Sequence, residues 1–303
     1  MDRARKGENV MARDPRRGSR GRVLLLVTVL LLCLLPAAGA RGEVSHQLWD
    51  ELLQRHVRVQ EGGRATSVDY QGLARDRAQL GRYLDTLAAV SRSEFDSWPK
   101  ASQLAFLINA YNAWTVELIL GAYPNLKSIK DLGSLFRSPW KKTFIPLLGE
   151  RRSLDDIEHG LMRGSKRYDE PRIHFAVNCA SIGCPALAGR AYQGETLHRQ
   201  LEEATRLFLA DRSRNRLEGA TLKVSSIFSW YREDFGRGWR GAASLGQFLA
   251  LYGESLALGD EEVARLRSGE IAIDFLDYDW RLNDVREGGT PPQRGGASDE
   301  HGQ

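Results

Sequence analysis

The chain has 303 residues, 42% apolar and 27% charged, a globular composition with length enough for a full core, which excludes disorder as the main state. Its formal charge of +4 is concentrated at the start, where Arg3, Arg5, Lys6, Arg13, Arg16, Arg17, Arg20 and Arg22 stand against Asp2, Glu8 and Asp14. The remainder is close to neutral, so no nucleic-acid partner is expected.

The basic leader runs into residues 23–35, apolar except for Thr28, and then into Ala38-Gly39-Ala40. This predicts a signal peptide over residues 1–40, cleaved near Ala40, and a protein exported to the periplasm or secreted. The apolar run is shorter than the ~20 residues a bilayer requires, so no membrane span is expected in the mature protein. Cleavage removes Cys33 and leaves Cys179 and Cys184, a close pair that an oxidising compartment would bridge.

No repeat of fixed period is visible, which sets solenoids and propellers aside. Residues 44–57 read as a helix with Trp49, Leu52, Leu53 and His56 on one side. Residues 104–120 are apolar nearly all round, as in a helix buried on every side. Its exceptions, Asn109 and Asn112, share a face, and their amides require partners once buried. The helix ends by Gly121, with Pro124 beyond. A strand is expected at 144–148, then a turn at Gly149-Glu150. Ser153 and Asp156 form a capping-box pattern opening the helix that carries Glu158 and His159.

Residues 172–178 alternate, with Ile173, Phe175 and Val177 against His174, Ala176 and Asn178, which predicts a half-buried strand. Residues 179–185 leave it, interrupted by Gly183 and Pro185. Leu197, Leu201, Ala204 and Phe208 mark an amphipathic helix, followed by a strand at 222–225, a helix at 244–251 and a strand at 271–276. Residues 287–303, without apolar side chains, read as a disordered tail. Strands and helices do not alternate strictly, so the expectation is α+β, one domain over residues 41–286 with a mixed or antiparallel sheet and packed helices.

The chemistry concentrates in His174-Phe-Ala-Val-Asn178-Cys179-Ala-Ser181-Ile-Gly-Cys184-Pro185. A nucleophilic thiol requires a base or cation to lower its pKa, and a third group to orient that base. Cys179 has His159 and His174 as candidate bases, with Asn178, Asp234, Asp279, Asn109 and Asn112 as candidate orienting groups. In a flat strand His174 and Cys179, five apart, point to opposite faces, which makes His159 at least as good a partner. The competing reading is a Cys179–Cys184 disulfide pinning the loop beside a hydrogen-bonded interior histidine. A zinc site from these cysteines and histidines lacks the usual two-residue Cys spacing; no metal and no cofactor is expected. Trp98, Trp114, Trp140, Trp230, Trp239 and Trp280 read first as core and second as the wall of a groove. Lys141-Lys142 and Arg151-Arg152 read as a solvated face or an anion site.

Several segments together resemble the domain of unknown function 547 family: Asn109-Ala-Tyr111-Asn112-Ala-Trp114, Tyr123-Pro124 with Ser128-Ile129, Leu154-Asp-Asp156-Ile-Glu158-His159, Arg172-Ile-His174-Phe175 through Asn178-Cys179 and Cys184-Pro185, Ile227-Phe-Ser-Trp230-Tyr231 with Asp234-Phe235, and Tyr278-Asp279-Trp280 with Asn283. The resemblance runs from about Tyr70 to Asn283, in order. The family has no agreed activity. It invites comparison with papain-like and transglutaminase-like thiol enzymes, which usually run Cys before His. Here His159 and His174 both precede Cys179, so any triad is to be sought by geometry rather than by order.

Two functional readings stand open. In one, Cys179 attacks an amide of an envelope peptide or protein, His159 or His174 takes its proton, Asp234 or Asn112 orients the imidazole, and backbone N–H groups after Cys179 bind the oxyanion. Asn109, Tyr111, Glu158, Asn178 and Trp230 are then candidate binding residues. In the other, the domain is a non-catalytic binding or scaffold module with its cysteines bridged. A thiol-redox role lacks the Cys-x-x-Cys spacing.

Overall fold

The computed structural model describes residues 43–134 and 138–285; the expected signal peptide over 1–40 and tail over 287–303 lie outside them. Among the described residues, which belong to one compact unit, helices dominate and the strands gather in three small sheets. The class is α+β, as expected. Among the described residues no helix is long and apolar enough to cross a membrane.

Helix α1 (Gln47–His56) buries Trp49, Leu52, Leu53 and His56, the side the sequence marks. It leads into an antiparallel hairpin of β1 (Val57–Gln60) and β2 (Ala65–Val68). Three helices follow, α2 (Tyr70–Arg75), α3 (Arg77–Ala88) and α4 (Arg92–Ser97). They pack around α5 (Lys100–Leu120), in which only Lys100, Ala101, Glu117 escape burial. An all-round apolar helix is the residue pattern of a central element, because it has no face to give to water. The core around α5 is mainly aliphatic. A second core, built on Phe175, Phe208, Phe228, Phe235 and Phe248, lies under the C-terminal elements; each buried phenylalanine contributes ~1.5–3 kcal/mol by leaving water.

The hairpin of β3 (Ile145–Leu147) and β4 (Glu150–Arg152) turns at Leu148 and Gly149, both at positive φ. The turn therefore sits one residue earlier than Gly149-Glu150, in the doubly left-handed form that fits the twist of a two-residue hairpin. Ser153 and Asp156 close the expected capping box: Asp156 Oδ2 accepts from Ser153 N at 2.8 Å, and Ser153 Oγ accepts from Asp156 N at 3.1 Å. What it opens is a π-helix, Asp156–Arg163, with Gly164 N donating five residues back to His159 O at 2.8 Å. A Cβ at position 164 would fall 2.5 Å from that same oxygen, so glycine is what lets the wide turn close. Such turns are rare and cluster at functional sites.

The strand expected at 172–178 is not formed. Residues Pro171–Phe175 make a 3-10 helix, started by the fixed φ of Pro171 and by Glu170, whose side chain accepts from Arg172 N at 3.2 Å. Alternation signals a strand only when one face meets water. Here both sets are buried, Arg172, His174 and Asn178 included, so the pattern carried no inside and outside.

Helix α6 (Leu197–Leu209) follows the expected amphipathic pattern. The largest sheet orders β5 (Arg216–Glu218), β6 (Thr221–Ser225) and β7 (Ala272–Leu276), with β5 antiparallel and β7 parallel to β6. Between β6 and β7 run α7 (Ile227–Trp230), α8 (Arg232–Phe235), α9 (Leu245–Ala250) and α10 (Asp260–Ser268).

Candidate functional site

A cavity of about 220 Å³ opens between α5, the π-helix, the 3-10 helix, the Cys179 loop, α7 and the segment after β7. Tyr111, Glu158, His159, His174, Cys179 and Trp230, six of the residues singled out from sequence, line it. His174 and Cys179 reach one cavity because the backbone between them is helical and bent, not extended.

The Cys179 loop is held from below by α5. Asn112 Nδ2 donates to Ala176 O at 2.9 Å and its Oδ1 accepts from Asn178 N at 2.8 Å. Asn109 treats Tyr192 in the same way, at 2.8 and 3.0 Å. Both buried amides thus mimic a peptide group toward a loop, the pairing their burial requires. Asn178 Oδ1 accepts from Ala180 N at 2.9 Å and its Nδ2 donates to Pro185 O at 2.7 Å, bracing the turn in which Ala180 takes a left-handed φ of 63°. Asn112 and Asn178 therefore shape the Cys179 loop, and Asn109 the Tyr192 segment, rather than orient an imidazole. Asp279 does not orient one either: its carboxylate pairs with Arg281.

At the head of the loop Cys179 and Cys184 are joined by a disulfide. Cys179 Sγ lies 3.0 Å from Ser181 Oγ and 3.1 Å from the Tyr278 hydroxyl, whose pKa burial pushes up. The N–H groups after Cys179 are engaged elsewhere: Ala180 N to Asn178, Ile182 N to Arg281 O, Gly183 N to Asp279 O. The expected row of free oxyanion donors is absent at those three positions, because the segment after β7 pairs with the loop. Ser181 and Tyr278 are the hydroxyl donors nearest the sulfur.

The floor of the cavity is a buried charge cluster. His174 Nε2 donates to Asp234 Oδ2 at 2.8 Å, and Arg163 Nε donates to the same oxygen. Burial would raise the Asp234 carboxyl, but the bonds from His174 and Arg163 outweigh it and hold the group far below the usual carboxylate range. Burial also pushes the His174 pKa down, against the Asp234 bond and the Glu158 charge. Burial thus favours the neutral ring, and the Asp234 bond then places its proton on Nε2. Tyr231 stacks on it at 3.9 Å between centroids. His159 differs: its side chain is 43% exposed, Arg163 donates to its Nδ1, and Asp155 lies 3.9 Å from its Nε2. Of the two candidate bases, His174 is the one with a carboxylate orienter.

The rim is aromatic. Trp230 is 48% exposed and stacks on Trp280 at 5.6 Å, with Tyr278 at 4.8 Å, and Trp140 meets Trp280 edge-on at 5.7 Å. Trp98 and Trp114 are buried in the core instead. Arg163, Ser181, Tyr231 and Tyr278 were not singled out from sequence as site residues. Arg163 stands four residues after His159, a helical spacing that could have marked it; Ser181 and Tyr278 come together only in three dimensions. Among the described residues no three His, Cys, Asp or Glu side chains gather as a metal would require. Lys141, Lys142 and Arg151 are exposed. A larger cavity, about 950 Å³, lies between α1, the β1–β2 hairpin and α6 and contains none of these site residues.

Residues 95–209 match the model of a family described as protein of unknown function DUF547. That stretch carries Asn109, Asn112, Glu158, His159, His174 and Cys179, while Trp230, Asp234 and Tyr278 lie beyond it. No curated protein and no solved structure matches the chain.

Proposed function

We propose that this DUF547 member is an exported thiol-dependent amide hydrolase or acyl transferase, acting on an envelope peptide or protein after loss of residues 1–40. The observation that carries the reading is the convergence on one cavity of Cys179 and His174, whose ring is oriented by Asp234 at 2.8 Å. Nucleophile, base and orienting carboxylate are the parts that covalent acyl transfer requires. His174 Nδ1 has no hydrogen-bond partner among the described residues, leaving a lone pair to take a proton.

The bridged form is latent. A dithiol reductant opens the Cys179–Cys184 bond, becoming a disulfide itself and leaving two thiols. His174 then takes the Cys179 proton, and the thiolate adds to the substrate carbonyl. As the C–N bond breaks, the imidazolium returns that proton to the departing amine and a thioester remains. Water or a second amine, deprotonated by the same nitrogen, displaces the sulfur to give the acid or a new amide. The Ser181 and Tyr278 hydroxyls supply donors for the oxyanion.

The test is alkylation of the full chain by iodoacetamide near neutral pH after dithiothreitol treatment, with the modified cysteine mapped by mass. Cys179 should react about tenfold faster than in His174→Gln, one pKa unit of thiolate. Equal rates in the two proteins, or a bridge that resists reduction in the folded state, would exclude a His174-activated nucleophile.

A second reading is favoured by the disulfide itself: a binding or scaffold domain whose bridge, suited to an oxidising compartment, pins the loop over the cavity. Under it the protein isolated without reductant has no titratable thiol at 179 or 184, and reduction unlocks no labelling that depends on His174.

A further inference from the structure

Two acceptors are left open at the floor of the cavity. Glu158 is 5% exposed and His174 2%; the Tyr111 and Tyr231 hydroxyls bond the Glu158 carboxylate, while its Oε1 and His174 Nδ1 have no hydrogen-bond partner among the described residues. They stand 4.0 Å apart, too far to bond each other. They could not do so in any case: Asp234 takes the proton-bearing Nε2, which leaves lone pairs on both atoms. What would satisfy both is a group with at least two N–H donors, each about 2.8 Å from one acceptor.

The walls select the charge of that group. Tyr231, Tyr278, Trp140, Trp230 and Trp280 turn rings toward the cavity, Asp155 adds a second carboxylate, and no lysine or arginine is among the described lining residues. Arg163, beside the floor, is already engaged by Asp234 and His159. Aromatic faces attract cations, and two of these rings already do so: Lys130 Nζ lies 3.8 Å from the Trp280 centroid and Arg163 Cζ 4.8 Å from that of Tyr231.

We propose that the cavity binds a primary alkylammonium group of the kind a lysine side chain presents, its nitrogen bridging Glu158 Oε1 and His174 Nδ1 and its methylene stem lying between the rim rings. A hydroxyl has one donor and a quaternary ammonium none, so neither satisfies both acceptors. The proposal concerns binding to the bridged form alone, in which Cys179 has no proton for His174 Nδ1 to take, so its failure is separable from failure of the thiol chemistry.

The experiment titrates the full chain, disulfide intact, with n-butylammonium, 1-butanol, tetramethylammonium and butyrate at constant ionic strength, read by tryptophan fluorescence and calorimetry. Saturable binding of n-butylammonium is expected, tighter than each of the others by about tenfold. Glu158→Gln should bring its affinity down to that of 1-butanol. Trp230→Ala, at an exposed position that does not threaten folding, should weaken it several-fold. The proposal is overturned if n-butylammonium does not saturate, if 1-butanol or tetramethylammonium binds as well, or if a folded Glu158→Gln binds it unchanged. Should Glu158→Gln fail to fold, unchanged affinity in Trp230→Ala overturns it instead.

Discussion

The floor and the rim of one small cavity are held in place by different forces. At the floor, His174 and Asp234 are buried and anchored by each other and by Arg163, and Glu158 is buried against the Tyr111 and Tyr231 hydroxyls. Each polar group there depends on its neighbours, because so little of it is exposed to water. At the rim, Trp230 is nearly half exposed and touches mainly other rings. Its position is set by dispersion and by exclusion of water, which yield gradually. Substitution at the floor should therefore threaten the fold, whereas substitution at the rim should alter what the cavity accepts.

The largest effect is expected from Asp234→Ala. It leaves Arg163 and His174 without the carboxylate that both bond, and breaking a buried pair costs about 3–5 kcal/mol. Urea denaturation measures it; a loss below about 1 kcal/mol would mean that the floor is as well solvated as the rim. Next comes pH. His174 is held neutral by burial, and burial lowers His46 to about 4. For each, the folded pKa lies below the unfolded value of about 6.5. The unfolded chain then takes up a proton that the folded chain refuses. Stability is complete above about pH 6.5 and falls as the pH drops toward the folded value, by at most about 1.4 kcal/mol per pH unit for each histidine. Asp234, depressed by its partners, adds a further loss only below about pH 4. His174→Gln should flatten the slope between pH 6.5 and 5 by up to one proton; an unchanged slope would show that the ring is charged in the folded state. The smallest effect belongs to the rim: Trp230→Ala should shift stability by no more than about 0.5 kcal/mol in the same denaturation experiment. A larger loss would place this ring in the core and erase the contrast.

The fold was legible wherever one local pattern met one environment. Leu197, Leu201 and Phe208 on α6, Trp49 and Leu52 on α1, and the Ser153/Asp156 box all sit where their spacing places them. Asn109 and Asn112 were legible in a subtler way: a buried amide requires a partner, and each has two. Residues 172–178 misled because Glu202 and Asp234, from separate segments, together with the neighbouring Glu170, pair with Arg172 and His174 and remove the solvent face that alternation assumes. At the site, the sequence offers Asp234 as one of several orienting groups for either imidazole and does not single it out. The orienting group of His174 is sixty residues away in sequence, and no local period connects the two.

By itself, then, the order of residues determined which segments coil, which turn, and which side chains have chemistry to offer, because helix periodicity, caps and glycine or proline conformations are decided within a few neighbours. Only the folded chain decided that His174 rather than His159 meets a buried carboxylate, that Tyr278 and Ser181 approach the sulfur of Cys179, and that two unpaired acceptors face each other across 4.0 Å. Those outcomes depend on which surfaces exclude water together, and exclusion of water is a property of the packed assembly of elements, not of any stretch within it.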